Sequence, residues 1–141
     1  MVKNTAMLDL PCWSDSYGSL VAIEESDTIP FPVTRVYYIF DVGDGIRRGF
    51  HSHKDLDQAL ICVNGSVRIF IEDDEGSEVV LLDDPKKALH IGPMVWREMF
   101  DFSDQAVLLV LASRHYDTSD YERDHDAFLK KAKLYFEGEG E

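Results

Sequence analysis

The sequence predicts an all-β fold, a sandwich or small barrel closed by one C-terminal amphipathic helix. Three observations predict it: short apolar runs separated by turn residues, a tight hairpin signal at Asn64-Gly65, and a late change from alternating to helical period. The runs Ser19–Ile23, Thr34–Phe40, Gln58–Val63, Val67–Ile71, Glu78–Leu82, Ala88–Ile91 and Val107–Ala112 are rich in Val, Ile, Leu and aromatics and read as strands. Tyr17-Gly18, Asp41 to Gly45, Asp73 to Gly76, Asp83 to Pro85 and Gly92-Pro93 supply the turns between them. Asn64-Gly65 between two apolar runs is a two-residue hairpin. Ser119-Asp-Tyr-Glu122 matches a capping box, and Tyr121, His125, Phe128, Leu129, Ala132, Tyr135 and Phe136 follow on one helical stripe. Glu137 to Glu141 reads as a frayed tail.

Length and composition bound the rest. The 141 residues fit a single domain over 1–141, with the barrel spanning about 16–115 and the helix about 119–136. Hydrophobic residues make up 45% and aromatics 11%, enough to build a packed core. Cys12 and Cys62 are too few and too far apart for a disulfide framework or a zinc finger, so a reducing cytoplasm is the expected compartment. There is no apolar run long enough to span a membrane, and the N-terminus lacks the core of a secretory signal. With 27 acidic against 14 basic residues the net charge is −13, which disfavours nucleic acid as a partner.

Chemistry concentrates in Gly45-Ile-Arg-Arg-Gly-Phe-His51-Ser-His53-Lys-Asp-Leu-Asp-Gln58 to Gly65, a G-x5-H-x-H-x4-Q-x6-G pattern. In an extended strand His51 and His53 project from one face. Paired imidazoles suit either a transition metal or proton transfer near neutral pH. Arg35, Arg47, Arg48 and Lys54 lie close by in sequence, a basic cluster in an acidic protein that suits a phosphate or diphosphate. By regular alternation Arg35 and Tyr37 share a face, opposite Val36, Tyr38 and Phe40. Trp96 and Cys62 read as packing residues.

The spacing in Gly45–Gly65 resembles the first motif of the cupins, jelly-roll β-barrels, and Leu89-His-Ile-Gly-Pro93 to Asp101 resembles the second. The ligand positions that this resemblance implies for a metal hold His51 and His53, but Gln58 replaces a glutamate and Arg97 replaces a histidine. A neutral amide removes an anionic ligand, and a guanidinium has no lone pair and repels a dication. The expected site therefore contains no metal and no cofactor.

Several further blocks resemble the dTDP-4-keto-6-deoxyglucose 3,4-ketoisomerases: Arg35-Val-Tyr-Tyr-Ile39, Arg48-Gly-Phe-His-Ser-His-Lys54, Gln58 to Ser66, Gly92 to Phe102 and Leu111 to Asp117. The resemblance runs from about Ser16 to Phe128. It implies a homodimer with exchanged N-terminal strands, for which Ala6–Leu10 is the candidate segment, acting on a dTDP-linked 4-keto-6-deoxyhexose on the way to a 3-amino sugar. With this chemistry, His51 is assigned as the C3/C4 proton shuttle, His53 as its partner, and Tyr37 as donor to the developing oxyanion. Tyr17, Arg35, Arg48, Gln58, Ser66 and Arg97 are assigned to substrate binding. Tyr17 with Arg97 resembles the gluco-forming branch, whereas galacto-forming members carry Arg and His there. A galacto-forming ketoisomerase, a dTDP-sugar 3,5-epimerase, a metal-dependent cupin oxygenase and a non-catalytic cupin binding module are the competing readings.

Overall fold

The structure is a computed structural model and describes residues 1–139. Twelve strands and one α-helix, α1 (His125–Glu139), make up its regular elements, with a short 3₁₀ turn at Thr118–Asp120. One sheet orders β1 (Thr5–Asp9), β9 (Lys87–Ile91), β6 (Gln58–Asn64), β11 (Val107–Ala112) and β4 (Arg35–Ile39). The other orders β12 (Tyr121–Glu122), β5 (Arg48–His53), β10 (Trp96–Phe100), β7 (Val67–Glu72) and β8 (Ser77–Leu82). All neighbours in both sheets are antiparallel.

The sheets share one apolar interior. Leu60, Cys62, Leu89, Leu108 and Val110 from the first sheet meet Val67, Ile69, Ile71, Leu82 and Met99 from the second, all buried. This is the expected β-barrel, built by strands that alternate inward apolar and outward residues. The Asn64-Gly65 turn joins β6 to β7, but the two strands belong to different sheets and do not pair, so it carries the chain from one sheet to the other and is not the expected hairpin. Gly65 has φ +73°, and a Cβ there would meet the Ser103 hydroxyl at 2.3 Å, so the turn needs glycine for both reasons.

Four elements depart from expectation. β1 joins the barrel as an edge strand, so the barrel begins near Thr5 rather than near residue 16. β1 pairs in register with β9, Thr5 opposite Ile91 through Asp9 opposite Lys87. β2 (Cys12–Asp15) and β3 (Gly18–Val21) form a separate hairpin, with Trp13, Tyr17 and Leu20 exposed on it. β10 is a full strand, although the charged Arg97-Glu98 obscured its alternation.

The capping box is a correction. Ser119–Glu122 does not start the helix: the Asp117 carboxylate accepts the Ser119 N–H and caps the 3₁₀ turn, and Tyr121–Glu122 pairs with Ser52–His53 as β12. Ladder bonds along the open edge of β5 satisfy the backbone better than a local cap. The helix begins at His125, where Asp124 accepts the Ala127 N–H at 3.0 Å. Phe128 and Ala132 are fully buried, and with Leu129 and Phe136 they pack on Trp96 and Phe70, the outer side of the second sheet. Of the tail expected at residues 137–141, the helix includes the segment through Glu139, and Gly140 and Glu141 lie outside the described residues.

Candidate active site

A bulge in β5 sets the position of the two histidines. Gly49 has φ +97°, and a Cβ on it would meet the Arg97 carbonyl oxygen at 2.8 Å, so only glycine lets β5 approach β10 this closely. Phe50, with φ +58°, is the extra residue, leaving His51 opposite Arg97 and Gly49 opposite Glu98. His51 and His53 then face the same side, as the spacing predicts, with ring centroids 4.9 Å apart and planes nearly perpendicular.

Around them the two sheets supply a connected polar network. Arg97 is 1% exposed and donates Nε and Nη2 to the Val95 carbonyl, at 3.3 and 3.1 Å. Its Nη1 donates to Gln58 Oε1, and Gln58 Nε2 donates to the Tyr37 hydroxyl at 3.1 Å. Because the guanidinium has only donors, it fixes which way the Gln58 amide points. The Tyr37 oxygen is thereby an acceptor, and its own proton remains available to a ligand. Burial raises the Tyr37 pKa, against the opposing pull of Arg97, so the phenol stays protonated. Burial lowers the Arg97 pKa to about 10, which leaves it cationic at neutral pH.

Both imidazoles are held neutral. Burial first, and the Arg97 charge second, push His51 down to about 4. The same two causes push His53 further down, assisted by His51, Arg35 and Arg123. A neutral imidazole keeps a lone pair and accepts a proton at neutral pH. Three buried side-chain nitrogens lack a hydrogen-bond partner among the described residues: Arg35 Nε, His51 Nδ1 and His53 Nε2. All three belong to this one region. Unpaired buried polar atoms are costly, and such atoms gathered in one region mark where a polar ligand binds.

A cavity of about 380 Å³ opens beside the histidines, lined by Arg35, His53, Leu56, the segment Arg114 to Asp117, Asp120 and Tyr121. The sequence reading missed Asp120 and Tyr121. The Tyr121 ring centroid stands 4.3 Å from that of His53 and 4.8 Å from that of His51, and Asp120 Oδ2 is 3.0 Å from His53 Nδ1. Their signal in the sequence is the stretch Ser113 to Asp124, too long and too rich in aromatic and charged residues for a plain connection between strand and helix.

Of the residues assigned from sequence, Arg35, Tyr37, His51, His53, Gln58 and Arg97 come together. Arg35 and Tyr37 do share the inner face of β4, its guanidinium lying 5.3 Å from the Tyr37 ring centroid. The other three do not join them within this chain. Arg48 is exposed at the start of β5. Ser66 sits in the β6–β7 turn, hydrogen-bonded to Ser103, at the far end of β6 from Gln58, a strand length of roughly 20 Å. Tyr17 is 97% exposed at the tip of the β2–β3 hairpin.

The donor set does not suit the metal of other cupins. At the four ligand positions stand two imidazoles, an amide committed to a guanidinium, and that guanidinium itself. No group of three His, Cys, Asp or Glu residues among those described is arranged to hold a metal. His90, the nearby histidine of β9, is engaged with Asp57 at 2.9 Å.

Comparison with known proteins identifies the family of the chain. Residues 3–133 match the family described as "FdtA: WxcM-like, C-terminal". A TDP-4-oxo-6-deoxy-alpha-D-glucose-3,4-oxoisomerase of Aneurinibacillus thermoaerophilus is 52% identical over 127 residues, covering 89% of this chain and 91% of its own. Among solved structures, the H51N mutant of the 3,4-ketoisomerase QdtA from Thermoanaerobacterium thermosaccharolyticum, in complex with TDP-4-keto-6-deoxyglucose, superimposes with a TM-score of 0.94 at 48% identity, covering 96% of this chain and 99% of that one. The WlaRB TDP-quinovose 3,4-ketoisomerase of Campylobacter jejuni gives a TM-score of 0.88 at 45% identity, with 92% and 99% covered. Matched along most of its length by the family and by these relatives, the chain belongs to the FdtA family and is a sugar 3,4-ketoisomerase of cupin fold.

Proposed function

We propose that this isomerase converts dTDP-4-keto-6-deoxy-D-glucose to dTDP-3-keto-6-deoxy-D-glucose by histidine-mediated proton transfer. The observation that carries the mechanism is the pair of neutral imidazoles, each with an unpartnered buried nitrogen, beside a buried cation and a phenol free to donate. His51 takes the proton from C3, and the electron pair moves into a C3–C4 double bond as the C4 carbonyl becomes an oxyanion. Tyr37 donates to that oxygen and Arg97 offsets its charge. His53 moves the hydroxyl proton from O3 to O4, and C4 is reprotonated as the carbonyl re-forms at C3. Because H3 and H4 of a gluco ring lie on opposite faces, that proton comes from the face opposite His51, with the Tyr37 phenol as the candidate donor. No electrons leave the substrate, so the residues present suffice without a redox cofactor. Arg35, with its Nε free and the cavity beside it, suits the diphosphate.

The C4 configuration is assigned as gluco. The support is Arg97, which cannot act as a proton donor at neutral pH where a histidine would, together with Tyr17 and the sequence Trp96-Arg-Glu-Met-Phe-Asp-Phe102. The 45% identity to a protein described as a TDP-quinovose ketoisomerase points the same way. Tyr17 is fully exposed at the tip of the β2–β3 hairpin and does not line the cavity beside the histidines, which suits a role toward the site of a second copy in a homodimer. The proposed assembly is a homodimer with exchange of the N-terminal segment Ala6–Leu10. A single-domain enzyme working in the cytoplasm, ahead of a 3-aminotransferase, is the setting this reading implies. The helix is not long and apolar enough to cross a membrane.

Incubating the protein with dTDP-4-keto-6-deoxyglucose in D₂O, and following the sugar carbons by NMR, tests the activity. The carbonyl is expected to move from C4 to C3 with deuterium at C4. Deuterium at C5 would indicate epimerase chemistry instead. Trapping the product with a 3-aminotransferase and reading the H3–H4 and H4–H5 couplings tests the configuration: large couplings are expected, and small ones mean a galacto product.

A further inference from the structure

We propose that Asp120 is a positioning residue that fixes His53 as its Nδ1–H tautomer and thereby leaves Nε2 as a lone pair facing the substrate. The assignment rests on the ketoisomerase reading above and deepens it. The Asp120 carboxylate is built into the turn that follows His53. Its Oδ1 accepts the backbone N–H groups of Lys54 and Asp55, at 3.2 and 2.8 Å, which leaves Oδ2 aimed at His53 Nδ1, 3.0 Å away. The Lys54 N–H is shared with the Asp120 carbonyl, and Lys54 Nζ donates to the Ser119 carbonyl, so the 3₁₀ turn is tied to β5 from both sides. β12 continues the attachment, with Tyr121 opposite His53 in the ladder.

An ionised carboxylate only accepts, so Nδ1 must carry the proton and Nε2 the lone pair. His53 Nε2 is the buried nitrogen with no partner, and the ring is 1% exposed. The imidazole remains neutral because burial, and then the cations Arg97, Arg35 and Arg123, oppose its protonation. When Nε2 accepts the O3 proton, Asp120 faces the resulting imidazolium, and delivery of that proton to O4 restores the neutral ring with Nδ1–H unchanged. Asp120 itself neither gains nor loses a proton.

The test uses Asp120→Asn and the ¹⁵N spectrum of the histidine side chains. In the wild-type protein His53 is expected as the Nδ1–H tautomer. In Asp120→Asn the two backbone amides keep the carboxamide oxygen, so its NH₂ faces Nδ1, forcing the proton onto Nε2. The expected result is a fall in kcat of about 100-fold, with KM changed less than about threefold, and the His53 signal switched to the Nε2–H form. A purely structural role for Asp120 would not invert the tautomer in a folded variant. Wild-type His53 found as Nε2–H or as imidazolium overturns the assignment, as does an Asp120→Asn protein with kcat within about threefold of wild type. The wild-type spectrum decides the matter even if the variant does not fold. A wild-type protein that leaves the sugar unchanged defeats the ketoisomerase reading instead, and the spectrum still tests the tautomer.

Discussion

The two ends of the barrel interior are made from the same strands and differ in almost every physical respect. On β4 the inward residues run Arg35 and Tyr37, then Ile39; on β6 Gln58, then Leu60 and Cys62; on β10 Arg97, then Met99. At one end the side chains interlock as hydrocarbon. At the other they form a buried polar layer around the two histidines, with three nitrogens left unpaired. The apolar end gains free energy from burial, while the polar end spends some of it to hold a cation and two neutral bases out of water. One strand set thus supplies both scaffold and site, divided by position along the strand.

The division can be broken most directly at the polar end. His51→Asn removes a base and keeps a polar side chain, so the rate of C3/C4 proton exchange should fall on the order of 10²–10⁴-fold while the denaturant midpoint changes little. Near-wild-type turnover would remove His51 from the mechanism. The converse variant is Met99→Ala, two residues along β10 from Arg97. It should cost about 2–5 kcal/mol of stability in denaturant titrations, with turnover per folded molecule preserved. If Met99→Ala abolishes turnover without destabilising the fold, the two ends are not separable.

A smaller effect is expected from pH. The unfolded His51 imidazole protonates near 6.5 and the folded one at about 4. Between those values the unfolded chain binds more protons, so stability is lost as pH falls through that window. Catalysis should be level from about pH 6 to 8 and decline only below about pH 5, where the base charges. An acid limb centred near 6.5 would show that His51 is not shielded as described. The smallest effect, none at all, is expected from metal removal. Exhaustive chelation should leave the isomerisation rate unchanged because Gln58 and Arg97 occupy the remaining ligand positions of the cupin pattern. Activity lost on chelation and restored by one divalent ion would reverse that expectation.

Much of this was legible in the chain. The period-two pairing of His51 with His53, and of Arg35 with Tyr37, follows from strand geometry, and both pairs share a face in the structure. Asp120 and Tyr121 were not legible, because Ser119 to Glu122 satisfies a helix-capping pattern equally well. What displaced that pattern is a long-range pairing with Ser52 and His53, which no local window contains. Tyr17, Arg48 and Ser66, which similarity of motif assigns to the site, lie at strand ends and a hairpin tip outside the cluster formed around the histidines within one chain.

By itself, then, the sequence determined the β architecture, the side of the strand on which the histidines lie, and the loss of two metal ligands to Gln58 and Arg97. These are properties of residue type and short-range spacing, and they survive any arrangement of the strands. Only the tertiary structure decided that Arg97 orients Gln58 and Gln58 orients Tyr37, since that chain of donors crosses from β10 to β6 to β4. It alone placed Asp120 against His53, across 67 residues of sequence. The reason is physical: a hydrogen bond's direction depends on which partner the fold brings within about 3 Å, and that distance is set by the packing of whole sheets.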